Sequence, residues 1–491
     1  AERRESINFV LLMEWRRKQP NLLETSKDYQ SEAGVEPRVK TGEQSHAKAG
    51  TEGKDGLHEQ GGLLEQILSR ENMNLAYSRV KGNKGSAGID GMKTDELLGH
   101  LKVHGTSLLD DLLTGGYRPQ AVKRVEIPKP DGGKRGLGIP TAVDRMVQQA
   151  IAQLLTPIFD AGFLPDSYGF RPGKSAHQAI KAATSYINAG YKVVVDIDLE
   201  KFFDRVNHDK LMHLVSLKVQ DNRVLRLIRR FLESGVMIGG LFEASTEGTP
   251  QGGPLSPLLS NIMLHELDVE LKRRGHRFCR YADDCNIYVR SKRSAERVMA
   301  GISQFIENSL LLKVNKGKSE VGSPKVRKFL GFSFYSKEKG QAGVRIHPKS
   351  VERVKEKVRK LTSRSNAMSM AQRIEKLSSL ITGWTSYFRL ADMKKHCREL
   401  DEWMRRRLRM CHWKDWKKVG SRYINLIKLG IDKGKAWEFA NTRKGYWRIA
   451  KSPILQRTLT NDYFEKLELT TFSHAYRQFS NSMNRPMPNG T

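Results

Sequence analysis

Asp283 and Asp284 lie side by side in Tyr281-Ala282-Asp283-Asp284, between Phe278-Cys279-Arg280 and Cys285-Asn286-Ile287-Tyr288-Val289. The flanks have the aromatic and β-branched composition of a hairpin, whereas aspartate is disfavoured in strands. Paired aspartates at a bend are ordinarily a solvated turn. They gain a chemical reason if they bind a hard divalent cation such as Mg²⁺, which takes carboxylate oxygens and keeps several waters. A second acidic segment strengthens that reading. In Val193-Val194-Val195-Asp196-Ile197-Asp198-Leu199 apolar and acidic residues alternate from Val195, the period of a strand with one buried face. Asp196 and Asp198 then point the same way. A carboxylate from this strand and the pair at 283–284 could meet across neighbouring strands and hold two cations. Two ions roughly 3.5–4 Å apart clamp the attacking and leaving oxygens of an in-line phosphoryl displacement.

The rest of the chain must position those acids and bring them a substrate. Its 491 residues carry 85 Lys+Arg against 54 Asp+Glu, a formal charge of +31. That surplus implies a polyanionic partner, with counterion release from nucleic acid supplying much of the affinity. A membrane surface is the competing polyanion, but no run of about 18 apolar residues is present to span a bilayer, and no signal peptide is recognisable. Cysteines 279, 285, 397 and 411 show no short paired spacing, so neither a disulfide framework nor a zinc ribbon is indicated. His396-Cys397 and Cys411-His412 read as parts of basic helices in which Cys is a buried small residue. Gly169-Phe170-Arg171-Pro172-Gly173-Lys174-Ser175 imitates a nucleotide-binding P-loop but has three residues between its glycines where that loop has four. Pro172 also lacks the N–H that would face phosphate. An ATPase is therefore rejected.

Several motifs recur in a fixed order. They are Gly88-Ile89-Asp90-Gly91, Ile127-Pro128-Lys129-Pro130-Asp131-Gly132-Gly133-Lys134-Arg135, Ser167-Tyr168-Gly169-Phe170-Arg171-Pro172, and the acidic strand with Phe202-Phe203-Asp204. Gly248-Thr249-Pro250-Gln251-Gly252-Gly253-Pro254, the Tyr-Ala-Asp-Asp turn, Lys318-Ser319, Phe329-Leu330-Gly331-Phe332 and Gly383-Trp384 with Tyr387-Phe388 follow. In this order the chain, from about Leu63 to at least Trp447, resembles the bacterial group II intron reverse transcriptase/maturase family, in its class without an endonuclease domain.

The resemblance implies an α+β right-hand polymerase, fingers and palm followed by a helical thumb or maturase domain and a basic C-terminal region. The expected divisions are a polar leader at 1–60, a template-covering extension of the fingers at 61–120, and fingers and palm at 121–345. The thumb or maturase domain is expected at 346–420 and the nucleic-acid-binding region at 421–491. It implies an RNA-directed DNA polymerase with two Mg²⁺ held by Asp198, Asp283 and Asp284. Asp198 rather than Asp196 keeps Phe203 in phase as the ring that rejects a 2′-hydroxyl, with Phe202 the runner-up, and leaves Asp196 structural or paired with a nearby base. Lys129 and Arg135 would grip the triphosphate, Gln251 would sense the nascent pair, and Lys318 would protonate the leaving pyrophosphate. Arg171 would contact template or pack the fingers. Arg405, Arg406, Arg407, Arg409, Trp413, Lys414, Lys417 and Lys418 interleave cations with aromatics, a pattern suited to phosphates and stacked bases. The implied partners are template and intron RNA, primer and target DNA, and deoxynucleoside triphosphates. The implied setting is the bacterial cytoplasm near the nucleoid, with no membrane partner. Two other readings stay open: a relative domesticated for repair or phage defence, and an RNA-binding splicing factor with a vestigial polymerase.

Overall fold

A computed structural model describes residues 62–128 and 133–483. The leader expected at 1–60 and Lys129 lie outside the described residues, and of Arg135 only the backbone is described. The strands are β1 (Val122–Pro128), β2 (Lys134–Ile139), β3 (Val193–Ile197), β4 (Val236–Ile238), β5 (Leu241–Glu243), β6 (Arg277–Tyr281), β7 (Asp284–Val289), β8 (Glu320–Gly322), β9 (Phe332–Ser336) and β10 (Ala342–Ile346). By internal contacts the chain divides into two compact units whose segments alternate along the sequence.

The described residues of the first unit are 62–128, 133–172, Asp198–Arg274 and Gly301–Asn315. Its sheet has the order β2-β1-β4-β5, with β1 and β2 paired antiparallel in a register running from Lys123↔Ile139 to Pro128↔Lys134. Helices Arg70–Gly82 and Ala142–Asp160 pack together. Asn72 joins them by donating to the carbonyls of Ile67 (2.8 Å) and Ala150 (3.0 Å). The apolar stretch from Leu211 to Leu232 forms two helices, His208–Ser216 and Asn222–Glu233. The break comes from a second N-cap: the Asp221 carboxylate accepts from the Arg223 N–H at 2.9 Å, and such a cap starts a new helix rather than continuing an old one.

The described residues of the second unit are Gly173–Ile197, Gly275–Ala300 and 316–483. Its sheet runs β6-β7-β3-β8, every neighbouring pair antiparallel. Helix Ala176–Asn188 covers it, placing Tyr186 against Tyr288 at 5.6 Å between ring centres. A separate hairpin, β9–β10, follows. The motif Phe329-Leu330-Gly331-Phe332 forms a tight Phe329↔Phe332 bridge with Leu330 and Gly331 both at positive φ, after which the strand pairs with β10. Long helices Pro348–Leu361, Met370–Phe388 and Lys394–Asp415 come next, then shorter ones up to Phe472–Met483. Leu377, Ile381, Met404, Leu408 and Phe472 are wholly buried among them. Asp401 is spent inside this packing, capping the last helix by accepting from the N–H groups of Phe472 (2.7 Å) and Ser473 (3.0 Å). Among the described residues no helix is long and apolar enough to cross a membrane.

Candidate active site

The acidic turn is built as the sequence suggests. Tyr281 pairs with Asp284, which leaves Ala282 and Asp283 as the two turn residues between β6 and β7. Ala282 takes φ +56, a left-handed conformation that costs a non-glycine residue on the order of 1–3 kcal/mol unless its surroundings impose it. Here they do. Ala282 is buried, and the buried Arg280 guanidinium donates to its carbonyl at 3.0 Å. The turn therefore presents Asp283 half-buried and Asp284 exposed from a fixed backbone.

Beside β7 lies β3, in a register that ends with Ile197 opposite Cys285. Asp196 lies within β3 and Asp198 just past its end, and the two have different surroundings. Asp196 accepts from Asn286 at 2.9 Å and from the Arg327 guanidinium at 3.0 Å, so its pairing with a base is met by Arg327. Asp198, the residue after Ile197, belongs to the first unit. There its carbonyl accepts from the Asn315 N–H at 2.9 Å, and Leu199 bridges Val314. Its side chain is half-buried. The three acids offer only oxygen donors from partly open positions, a set that suits a hard divalent cation. Among the described residues no three His, Cys, Asp or Glu side chains gather at metal-binding spacing.

Within the first unit a cavity of about 190 Å³ is lined by Arg124, Gly136, Gly138, Phe203, Asp204 and the loop Gly248–Gln251, among others. Phe203 faces it, whereas Phe202 is 2% exposed and stands edge-on behind at 5.1 Å. The loop is pinned on both sides. Thr249 N–H donates to the Phe203 carbonyl (2.6 Å), and the Gln251 carbonyl accepts from Gly138 N–H of β2 (2.7 Å). Two glycines permit this approach. A Cβ at Gly248 (φ +94) would lie 2.9 Å from the Phe203 carbonyl oxygen, and one at Gly252 (φ +125) 2.5 Å from that of Gly138. Arg124, which the sequence did not single out, lies 3.9 Å from Asp204 at the cavity wall. The spacing of Arg124 and Glu126, two apart along β1, was its only signal.

In the second unit, Lys318 is exposed on the loop before β8. Lys328 is a further cation near the acids. Partial desolvation, then Arg353 and Lys349, lower its pKa against the opposing pull of Asp284 and Asp196. Tyr387 donates to the Leu330 carbonyl at 2.9 Å, and burial followed by the fields of Tyr281 and Asp284 raises its pKa.

The expected nucleic-acid contacts separate into two groups. Arg171 turns inward: its side chain is 6% exposed, bonded to Asp160 at 2.6 Å and to the carbonyls of Leu164 and Ser167. The packing role replaces the template contact because its donors are already used. Trp413 is 1% exposed, edge-on to Trp416 and covered by Arg422, so it is a core residue and no stacking platform. Arg407 bonds to Thr362 and lies over Trp403, and Lys414 donates to the Arg364 carbonyl at 3.3 Å. Arg405, Arg406 and Arg409 line a cavity of about 690 Å³ together with Trp403, Lys451 and Asn461, although Arg406 also donates to the Trp447 carbonyl and Arg409 to that of Leu459, each at 3.0 Å, while Lys417 and Lys418 are exposed.

Residues 127–334 match the family described as reverse transcriptase (RNA-dependent DNA polymerase), and residues 351–430 match the group II intron maturase-specific domain. Protein YkfC of Escherichia coli strain K12 is 35% identical over 53% of this chain and 78% of its own length. The group II intron-encoded protein LtrA of Lactococcus lactis is 29% identical over 57% of each chain, so the chain spans little more than half of that relative. Among solved structures, a partial Cas6-RT-Cas1–Cas2 complex aligns over 51% of this chain and 43% of its own at 23% identity, with a TM-score of 0.34. With a polymerase domain ahead of a maturase domain in an α+β fold, the chain belongs to the group II intron reverse transcriptase/maturase family.

Proposed function

We propose that the chain copies RNA into DNA with Asp198, Asp283 and Asp284 holding two Mg²⁺, and that it binds its parent intron RNA to assist splicing and mobility. The observation that carries the catalytic part is the β3–β7 register. Ile197 pairs with Cys285, and the next residue outward on each strand is an aspartate, Asp198 on one and Asp284 on the other. Bound cations would activate the primer 3′-hydroxyl and neutralise charge on the departing oxygens. The chain's own residues do the rest. Phe203 sits under the sugar and excludes a 2′-hydroxyl, and Gln251 on its pinned loop reads the nascent pair. Lys129 and Arg135 hold the triphosphate, and Lys318 donates a proton to pyrophosphate.

The test is primer extension on poly-rA/oligo-dT with dTTP and Mg²⁺. Wild-type protein is expected to synthesise DNA. Asp283→Ala should abolish synthesis and leave RNA binding within a few-fold. Loss of both would make Asp283 structural, and a wild type without synthesis would leave an RNA-binding splicing factor.

A further inference from the structure

We propose that Arg327 is a positioning residue for DNA synthesis, clamping the loop that carries Lys318 onto the strand that leads to Asp198. The proposal rests on the reading of Lys318 as proton donor. The sheet itself poses the problem that Arg327 solves. Asn286, Asp196 and Glu320 stand in one row across β7, β3 and β8, Asp196 being opposite each of the others. Two carboxylates directly opposite one another repel, and the Asp196 side chain is only 20% exposed, so little water screens it.

Arg327 enters from outside the row. Its Nε and Nη2 take Asp196 Oδ2 at 3.3 and 3.0 Å, and its Nη1 takes Glu320. Asn286 holds the other Asp196 oxygen. Nη2 also reaches the backbone carbonyl of Lys318, at 3.4 Å. The backbone of Arg327 is fixed as well, its N–H donating to Ser323 at 3.1 Å. Gly322 lets the side chain pass, since a Cβ there would meet Arg327 Cδ at 3.0 Å. One planar guanidinium thus ties together β3, β8 and the carbonyl of Lys318, which a lysine's single point charge cannot do. Lys318 follows Gly317 on an exposed stretch. The clamp fixes the Lys318 backbone, from which the side chain reaches outward. Asp196 serves as the anchor of this clamp.

The experiment measures single-nucleotide incorporation, its pH profile and the dNTP dissociation constant for the full chain on an RNA template. The variants are Arg327→Met, Arg327→Lys, Lys318→Ala and the double Arg327→Met/Lys318→Ala. Arg327→Met is expected to slow incorporation roughly tenfold or more, as misplacement of a catalytic group does. It should leave dNTP affinity within about twofold and displace or erase the pH limb that Lys318→Ala also removes. The double variant should be no slower than Lys318→Ala alone, because both changes disable one device. Arg327→Lys should fall between wild type and Arg327→Met. Multiplying effects in the double variant, or a lower melting temperature with an unchanged rate and pH profile, would overturn the clamp. Should Arg327→Met fail to fold, Asp196→Asn, nearly isosteric, must show the same profile change, and a wild-type profile there overturns the proposal too. A Lys318→Ala variant with wild-type rate and profile would instead refute the proton-donor reading, and the clamp with it.

Discussion

Phe202 and Phe203 are neighbours of the same type in different surroundings, and the difference lies in what each faces. Phe203 lines the cavity with Arg124 and Gln251, while Phe202 is buried behind it. Phe203→Ala is therefore expected to raise the rNTP/dNTP ratio of kcat/KM on the order of 10–100-fold, the range over which a pocket discriminates by shape. Phe202→Ala should lower stability by about 3–5 kcal/mol, the usual cost of emptying a core aromatic site, and leave sugar selectivity alone. Nucleotide competition assays and thermal melts separate the two, and the reverse pattern would move the gate to Phe202. At this scale the sequence is informative wherever a residue defies its local pattern. Two acids in a strand and two at a turn are costly without a purpose. It is uninformative where the partner is remote: the Asp196–Arg327 pair joins positions 131 residues apart, and nothing near Asp196 announces it. Trp413 misleads for a related reason. Interleaved Arg and Trp look like an RNA-binding face in one dimension, but only tertiary packing decides which side of the helix is covered.

Among the elements, the loop Gly248–Gly253 shows how backbone geometry fixes the position of Gln251, the residue proposed to read the nascent pair. With its Gly252 N-terminal neighbour bonded to β2, a methyl group at Gly252 must collide with the Gly138 carbonyl and push Gln251 aside. Gly252→Ala is expected to raise the KM for dNTP by roughly tenfold with template affinity unchanged. An unaltered KM would detach this loop from the nucleotide site. The helix Lys394–Asp415 carries a different consequence. His412 is buried against Trp416, Tyr463 and Phe464, with Nε2 unpartnered, and burial lowers its pKa to about 4. The unfolded chain, with an ordinary imidazole pKa near 6.5, takes up the proton more readily. Stability is thus intact above about pH 6.5 and falls as the pH drops toward 4, by about 1.4 kcal/mol at pH 5.5 from this group. Melts of wild type and His412→Phe at pH 7.5 and 5.5 check this, since the variant should lose less on acidification. Equal losses would assign the acid sensitivity elsewhere. The hairpin at 278–289 was legible because an acidic bend interrupts two runs of aromatic and β-branched residues. The division of 211–232 into two helices was also written in the sequence, at Asp221, but apolar periodicity drowned the cap.

For the whole molecule, the feature least visible in sequence is that compact units are assembled from alternating segments. Local pattern reveals elements, and composition reveals partners, but neither says that Gly173–Ile197 packs with residues 316 onward. Charge was legible, as a total of +31, but the sequence does not say which cations are available. Arg407 and Lys414 are engaged with their own fold, whereas Arg405 and Lys451 line the 690 Å³ cavity. Arg405 also helps depress the pKa of Arg409, after burial, the mark of cations crowded without enough counter-charge. Asp401 is committed to its helix cap, and Glu399 and Glu402 stand exposed at the rim. Such a site gains when a phosphate enters. Each contact to a single-stranded polyanion contributes about 0.7 to the slope of log K against log salt. Replacing Arg405 and Lys451 together by Gln should therefore weaken RNA binding at low salt and flatten that slope by about 1.4. Extension of a saturating primer–template should continue at the wild-type rate, because neither residue lines the cavity around Phe203. The same double change at Arg407 and Lys414 should leave the slope nearly as it was and lower the melting temperature instead. An unchanged slope for Arg405/Lys451, measured by filter binding across a salt series, would mean that the C-terminal cavity does not take phosphate and that the long-range pull on RNA comes from elsewhere on the surface.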